Sequence, residues 1–553
     1  MAPYQQVTAG PPAARASADV ETPALPAALL RPEAFTHTAH NLRLHETHLS
    51  WVILAGAYAY KIKKPVNLGF ADFSTLARRR AACAAEVRLN QRLCPDVYLG
   101  VATITRRGGA AVVVDGEWPG EPVVKMRRLP AAGMLPALLE RGLASPQLFQ
   151  RVARQLAAFH GRAATGPGVD EWGEPAAVRA NWLENFSQTA ALPESILPAQ
   201  HRALIAAFVE RFLTAEEPLL ARRVETGRIR DGHGDLHAAN ICVEGRRVHL
   251  FDCLDFSARY RCGDVAAEVA FLAMDLAHAG RADLGLAFAD RYIRATGDEE
   301  LRRLLAFYEC YRAYVRGKVV GMQAAMPALP PAEAARLAAE ARAYFDLAWA
   351  TAGGLDRRTL VVVMGLPASG KTSLARAVAG RFGLIHLSSD VVRKELAGLR
   401  RTERRGEDFG AGIYSATMTR RTYTLLRRRA ARWLRRGQPV VLDATYGSLA
   451  ERTLLRQLAA QASARLVALE CQADEATLRA RLAAREHDPE TVSDARLPLW
   501  PALRAAYVPP RELAEVWPID MTRPLAQATD QALGVIWGAP GAHEDMTLVN
   551  RAD

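Results

Sequence analysis

The chain is 553 residues long, half of them hydrophobic and 24% charged, with a formal net charge of +12. That length is well past the size at which a single core stops growing, so two or three domains are expected. The composition is that of a globular protein: no apolar run reaches the length of a membrane span, and residues 1–30 lack the basic and apolar regions of a signal peptide, so the expectation is a cytoplasmic protein without a membrane partner.

Cys83, Cys94, Cys242, Cys253, Cys262, Cys310 and Cys471 form no C-x-x-C pair or metal-like spacing and read as reduced core thiols. The positive charge is almost all arginine, since only seven of the 71 basic residues are lysine. Lys371 lies in a glycine-rich loop, and three more lysines crowd into "KIKK". The runs "RKELAGLRRTERR" and "TRRTYTLLRRRAARWLRR" lack glycine–aromatic interleaving; they read as solvated helix faces, and a nucleic-acid partner is not favoured.

Residues 1–33 are rich in Ala and Pro and read as a loose N-terminal segment. A first domain follows over 34–350, opening on the β-rich "LSWVILAGAYAYKIKKPV" and continuing in helical patterning, closed by the amphipathic "LRRLLAFYECYRAYVRGKVVGM" and "AEAARLAAEARAYFDLAWATA". Strand alternation puts Ala59, Lys61 and Lys63 on one face. The stretch "HGDLHAANICVEGRRVHLFD", residues 233–252, has the H-x-D-x-x-x-x-N spacing of a phosphotransfer loop. In that layout Asp235 takes the hydroxyl proton and Asn240 holds metal. "NICV" and "RVHLF" are short strands turning at Glu244-Gly245, and Asp252 ends the second as a further metal ligand. A turn and hairpin explain each residue singly but not the ordered set. His237 reads as structural.

The segment resembles the aminoglycoside phosphotransferase family, in the variant joined to a P-loop kinase, over most of 35–345. The resemblance implies an α+β protein-kinase-like fold that uses ATP and magnesium. It also implies a strand lysine that contacts the ATP phosphates and pairs with a helical glutamate. Lys61, in Ala59-x-Lys61, with Glu86 of "AAEVRLNQRL" fits that pair, and Lys63 competes with Lys61. "EPVVKMRRLP" fits the hinge strand beside adenine, Asp264 a brace for the catalytic loop, and Asp255 a supporting or surface position. Two departures leave a regulatory, non-catalytic ATP-binding role open for this half: no G-x-G-x-x-G loop precedes the lysine strand, and Asp252 is followed by Cys-Leu instead of Phe-Gly.

Residues 351–358 read as a linker, 359–537 as a second domain and 538–553 as a tail. Strands "TLVVVMG", "LIHLS", "PVVLDAT", "ARLVALEC" and a last one near "AEVWPI" alternate with helices, the pattern of an α/β domain with a doubly wound parallel sheet. Between the first strand and its helix lies the GxxxxGK[ST] phosphate loop: Gly365, Leu366, Pro367, Ala368, Ser369, Gly370, Lys371, Thr372 and Ser373. Backbone N–H groups and the helix N-terminus can cradle phosphate, Lys371 can reach the terminal phosphates, and the Thr372 hydroxyl can coordinate magnesium. Asp443 is followed by Ala444 and Thr445, so the glutamate that activates water in ATPases is missing. Asp390 stands just past the second strand, where a carboxylate can take a proton from an attacking hydroxyl, and Arg393 one turn on can hold substrate or phosphate. Asp390 also suits a helix N-cap.

These pieces resemble the P-loop kinases related to polynucleotide 5′-kinases, zeta toxins and chloramphenicol phosphotransferases. The resemblance implies a kinase with Arg481 and Arg485 of "LRARLAAR" as lid arginines, although their spacing equally suits a solvated helix face. Asp443 either holds magnesium through water or contacts substrate. The expectation for the whole chain is an ATP- and magnesium-dependent, bifunctional phosphotransferase acting on a small-molecule hydroxyl. A nucleic-acid 5′-hydroxyl kinase and an ATP-binding regulator are the alternatives. Neither the acceptor nor the oligomeric state is readable.

Overall fold

The computed structural model describes residues 25–69, 71–326, 329–485, 492–511 and 516–538. The chain divides into two compact units, Met1–Pro130 with His249–Ser257, and Ala131–Val248 with Ala258–Asp553.

The first unit is built on six antiparallel strands: β1 Arg43–Glu46, β2 Ser50–Ala55, β3 Tyr58–Lys63, β4 Tyr98–Arg107, β5 Ala110–Asp115 and β6 Glu121–Arg127. Their order is β1-β2-β3-β6-β4-β5. Alternation along β3 sends Tyr60 and Ile62 into an apolar core with Leu25, Ile53, Ile104 and Val123. Lys61 and Lys63 therefore fall on the opposite face, toward Glu86 on the helix Leu76–Asn90, whose N-terminus is capped by Thr75. The loose-segment expectation for 1–33 needs correction at its end. Residues 1–24 lie outside the described residues, but Leu25–Ala28 form a helical turn and Leu25 and Leu29 are buried, because their side chains complete the sheet's apolar face.

The second unit holds a helical part and the P-loop part. In the helical part, β7 Ile229–Asp231 pairs with β10 Cys262–Asp264, and the loop from 232 to 240 leads into β8 Ile241–Glu244; β9 Arg247–Leu250 then carries the chain from the second unit into the first. Arg223, with no exposed surface, donates to Asp264 at 2.7 Å and to Asp298 at 2.6 Å, so three buried charges pin β10 to neighbouring helices. The P-loop part has five parallel strands: β11 Thr359–Met364, β12 Ile385–Ser388, β13 Val440–Asp443, β14 Arg465–Gln472 and β15 Val516–Asp520. Their order, β12-β13-β11-β14-β15, puts buried β11 at the centre with apolar clusters on both faces, as a doubly wound sheet requires.

The two parts touch closely. A Cβ on Gly380, in helix Lys371–Phe382, would lie 2.4 Å from the carbonyl oxygen of His278, the last residue of helix Val265–His278. Between them the chain leaves helix Pro331–Trp349 through the turn Ala350–Gly354, with Trp349 against Phe382 and Trp537. All seven cysteines are buried. No helix among the described residues is long and apolar enough to cross a membrane.

Candidate active sites

In the first unit, five charged side chains meet on the lysine face of the sheet. Lys61 Nζ lies 2.8 Å from Glu86 and 2.6 Å from Asp252, while Lys63 Nζ lies 2.7 Å from Glu86 and 2.6 Å from Asp255. Burial pushes the Glu86 carboxyl up, but the two ammonium groups outweigh it and hold it at about 2. Both lysines thus reach Glu86, and they differ in their second partner. Asp255 is buried against Lys63, which corrects its surface reading; Asp252 keeps 43% of its side chain exposed. Asp252 has φ +63°, a left-handed backbone uncommon outside glycine, and its N–H donates to the Tyr98 hydroxyl at 3.2 Å. The glycine-free turn between β1 and β2 is closed by Thr47, whose hydroxyl accepts the N–H of Ser50 at 3.0 Å.

In the second unit, the loop around Asp235 is fastened at several points. Asn240 Nδ2 donates to the Asp235 carbonyl at 2.9 Å and to its carboxylate at 3.2 Å, and His237 Nε2 lies 3.5 Å from the same carboxylate. Burial alone would raise Asp235; the hydrogen bond and charge of His237 win and hold it below the usual carboxylate range. A carboxylate kept ionised in this way can accept a proton from a hydroxyl. The brace expected from Asp264 is supplied by others. Asp264 caps helix Val265–His278 through the Ala266 N–H and pairs with Arg223. Glu268 accepts the His233 N–H at 2.9 Å, and Asp275 accepts the Ala238 N–H at 2.8 Å. These two carry a legible signal: acids seven residues apart, two turns along one face, in the apolar "VAAEVAFLAMDLAH".

The phosphate loop turns sharply out of β11. Gly365 and Gly370 have φ +136° and +91°, and a Cβ on Gly365 would lie 2.6 Å from the Cys471 carbonyl oxygen, so both positions require glycine. Lys371 Nζ donates to the Leu366 carbonyl at 2.6 Å across the loop, and Thr372 Oγ1 donates to Asp443 Oδ2 at 2.8 Å. His386, which the sequence reading overlooked, lies 3.5 Å from that carboxylate. Burial raises Asp443, but His386, Lys371 and Thr372 hold it down. A hydroxyl beside an ionised carboxylate is a donor set that suits magnesium shared with nucleotide phosphates.

Pro367, Ala368, Gly370, Lys371, Thr372 and Ser373 line a cavity of about 1270 Å³, together with Asp390, Arg393, Asp443 and Arg485. Asp390 lies inside the first turn of helix Ser389–Leu396, two residues past the capping position at Ser388, which corrects its N-cap reading. Burial and the neighbouring Asp443 raise its pKa. Arg393 donates to the Ile413 carbonyl at 2.8 Å and to Thr419 at 3.1 Å, with its guanidinium over the Tyr414 ring, so it anchors the segment that walls the cavity. Behind it, buried Lys394 lies 3.4 Å from Asp494, a pair the sequence reading also passed over. Of the two lid candidates, Arg485 lines the cavity, whereas Arg481 donates to the Met521 carbonyl at 2.7 Å.

Comparison with known proteins agrees with this anatomy. Residues 73–308 match the model of a phosphotransferase enzyme family, and residues 360–510 match an AAA-domain model of P-loop kinases. The uncharacterized proteins Rv2004c of Mycobacterium tuberculosis and Mb2027c of Mycobacterium bovis are each 34% identical over 442 residues, covering 80% of this chain and 86% of theirs. The chain belongs to their family. Its two parts are both of kinase type, and the chain is a phosphotransferase with an N-terminal kinase-like fold and a C-terminal P-loop kinase fold. Among solved structures, it resembles a gluconokinase from Sinorhizobium meliloti 1021 (21% identity, TM-score 0.25, 33% of this chain and 93% of that one). It also resembles a choline/ethanolamine kinase family protein from Mesorhizobium loti (16% identity, TM-score 0.35, 57% of this chain and 92% of that one).

Proposed function

We propose that the chain is a bifunctional kinase, in which each half moves the terminal phosphate of ATP to a hydroxyl of a small molecule. The observation that carries this reading is the joint placement of Lys371, Thr372, Asp443 and Asp390 around one cavity large enough for a nucleotide and a small acceptor. In the P-loop half, Lys371 and the loop N–H groups bind phosphate oxygens, Thr372 and Asp443 are the residues to hold magnesium, and Asp390 takes the acceptor proton. Arg485 is the lid arginine of this reading, with Arg481 behind it. In the upstream half, Asp235 takes the proton, Lys61 with Glu86 serves the ATP phosphates, and Asn240 and Asp252 hold magnesium by the spacing of their motif. Bound magnesium supplies charge neutralisation for the transferring phosphoryl group.

The test uses the full-length protein with ATP labelled in its terminal phosphate and a metabolite extract. Asp235→Asn and Lys371→Ala are each expected to remove labelled products that the wild type forms. If Asp235→Asn removes none, the upstream half does no chemistry. If label goes to 5′-hydroxyl oligonucleotides in preference to extract components, with steep salt dependence, the acceptor is nucleic acid.

A further inference from the structure

The cavity at the phosphate loop is not walled by the P-loop part alone. His237, Ala238 and Asp275 line it, and they belong to the loop that carries Asp235 and to its brace. So do His278, Arg281, Arg316 and Tyr344 of the helical part. Arg316 Nε and His278 Nδ1 are buried polar atoms with no hydrogen-bond partner among the described residues. An unpartnered buried donor costs free energy that a ligand can recover.

The charges on this wall are unevenly matched. Among the lining acids, Glu395 pairs with Arg429 at 2.7 Å, Glu451 with Arg427, and Asp283 with Arg281 through two contacts of 2.9 Å. Arg376 and Arg401 line the cavity and have no ion pair among the described residues. Arg401 approaches Gly142 closely, since a Cβ there would lie 3.3 Å from its Nη1, and the backbone of Arg376 approaches Gly280, where a Cβ would lie 3.2 Å from the Arg376 carbonyl oxygen. Burial, together with the nearby Arg281 and Arg376, pushes the Arg401 guanidinium down, so these three cations share one neighbourhood. Arg281 is matched by Asp283, while Arg376 and Arg401 have no ion pair of their own among the described residues, and such a surplus of guanidinium suits a phosphate, whose oxygens take several charge-assisted hydrogen bonds.

We propose that the P-loop site acts on a phosphate monoester, seated by Arg376 and Arg401 with Arg281 of the upstream half, and that the upstream site makes this monoester, so that one molecule is phosphorylated twice. The proposal rests on the two-kinase reading above. In the first step an acceptor hydroxyl oxygen bonds to the terminal phosphorus of ATP, the bond from that phosphorus to the bridging oxygen breaks, ADP leaves and Asp235 takes the proton. In the second step a second hydroxyl of the same molecule reacts with another ATP in the same way, and Asp390 takes the proton.

Two measurements on the full-length protein test this. The first titrates inorganic phosphate calorimetrically with magnesium and a non-hydrolysable ATP analogue at saturation. Phosphate is expected to bind the wild type and to bind Arg376→Ala and Arg401→Ala at least about 10-fold more weakly, the loss of one charged hydrogen-bonding partner. Arg376 is exposed, so its variant keeps the fold even if Arg401→Ala does not. Equal binding by wild type and Arg376→Ala overturns the seat. The second offers neutral polyols and amino alcohols, their phosphate monoesters and hydroxy acids of similar size, and counts added phosphoryl groups by mass. The wild type is expected to add two to neutral alcohols, Asp390→Asn one, and Asp235→Asn to act on monoesters only. If Asp235→Asn phosphorylates neutral alcohols or hydroxy acids as fast as monoesters, the series is wrong while two kinases remain. If Asp235→Asn forms every wild-type product, the two-kinase reading fails and this proposal with it.

Discussion

Glu268 accepts the backbone N–H of His233 at 2.9 Å, which hangs the loop, two residues upstream of Asp235, from a buried carboxylate. The same carboxylate lies 3.5 Å from His160, and a Cβ on Gly232 would sit 2.2 Å from it, so the loop and the acid are fitted to each other. Burial raises the Glu268 pKa, but His160 and His233 outweigh it and hold it at about 2.

A group whose folded pKa is depressed stabilises the fold above its unfolded value and loses that contribution as pH falls through the folded one. For Glu268 the window runs from 4.5 down to about 2. Glu268→Gln is expected to cost roughly 2–4 kcal/mol at pH 7 and little at the bottom of that window. Urea midpoints of both proteins at neutral pH and near pH 3 check it; the gap between them should shrink in acid. A gap that does not change with pH would show that the charge is not what stabilises the loop.

The two lysines of β3 are separable by experiment. Lys63 is 3% exposed and holds Glu86 and Asp255, both buried, so Lys63→Ala leaves two buried carboxylates short of a cation and should cost about 3–5 kcal/mol of stability. Lys61 is 15% exposed and reaches the half-exposed Asp252. Lys61→Ala is therefore expected to lower upstream transfer with a smaller loss of stability. Thermal unfolding of both variants, paired with upstream product formation, decides between them; a larger loss of stability in Lys61→Ala would reverse the roles.

Much of this anatomy was legible in the sequence because it depends on local spacing. The phosphate loop, the H-x-D-x-x-x-x-N set and the five strands of the second sheet each follow from periodicity or from glycine at positions of positive φ, as at Gly365 and Gly370. Tertiary facts were not legible. That Glu86 reaches both lysines depends on how a helix lies across a sheet, and that Asp264 serves Arg223 while Glu268 and Asp275 hold the loop depends on which helix face turns inward. The close packing of Gly380 on His278, which joins the helical part to the P-loop part, leaves no mark in either segment beyond one glycine in a helix.

Lys371 is tied to the Leu366 carbonyl at 2.6 Å, a bond that folds its long side chain back over the loop it serves. Burial pushes its pKa down against the pull of Asp443. Lys371→Ala removes a buried cation whose protein partner is a neutral carbonyl, so its loss should fall mainly on nucleotide affinity and little on stability. Nucleotide titration of the full-length protein in an Asp235→Asn, Lys61→Ala background isolates this site. An expected weakening of at least about 10-fold corresponds to one charged hydrogen bond; unchanged affinity would remove Lys371 from the site.

Asp390 offers the sharpest test of chemistry in the P-loop half, because its place in the helix separates catalysis from capping. Ser388 holds the capping position and makes no side-chain capping bond there, so Asp390→Asn removes no such bond, and Asn keeps the shape of the side chain. What it removes is the proton acceptor, a carboxylate whose pKa burial and Asp443 have raised toward a useful range for taking a proton. Stability and ATP affinity should stay near wild type, with the transfer rate falling by about 10²- to 10⁴-fold, the span of general-base catalysis. Single-turnover transfer in the Asp235→Asn background, where upstream products are gone, gives the rate without product release. A fall confined to substrate affinity, with the single-turnover rate intact, would make Asp390 a binding residue and leave the proton to solvent.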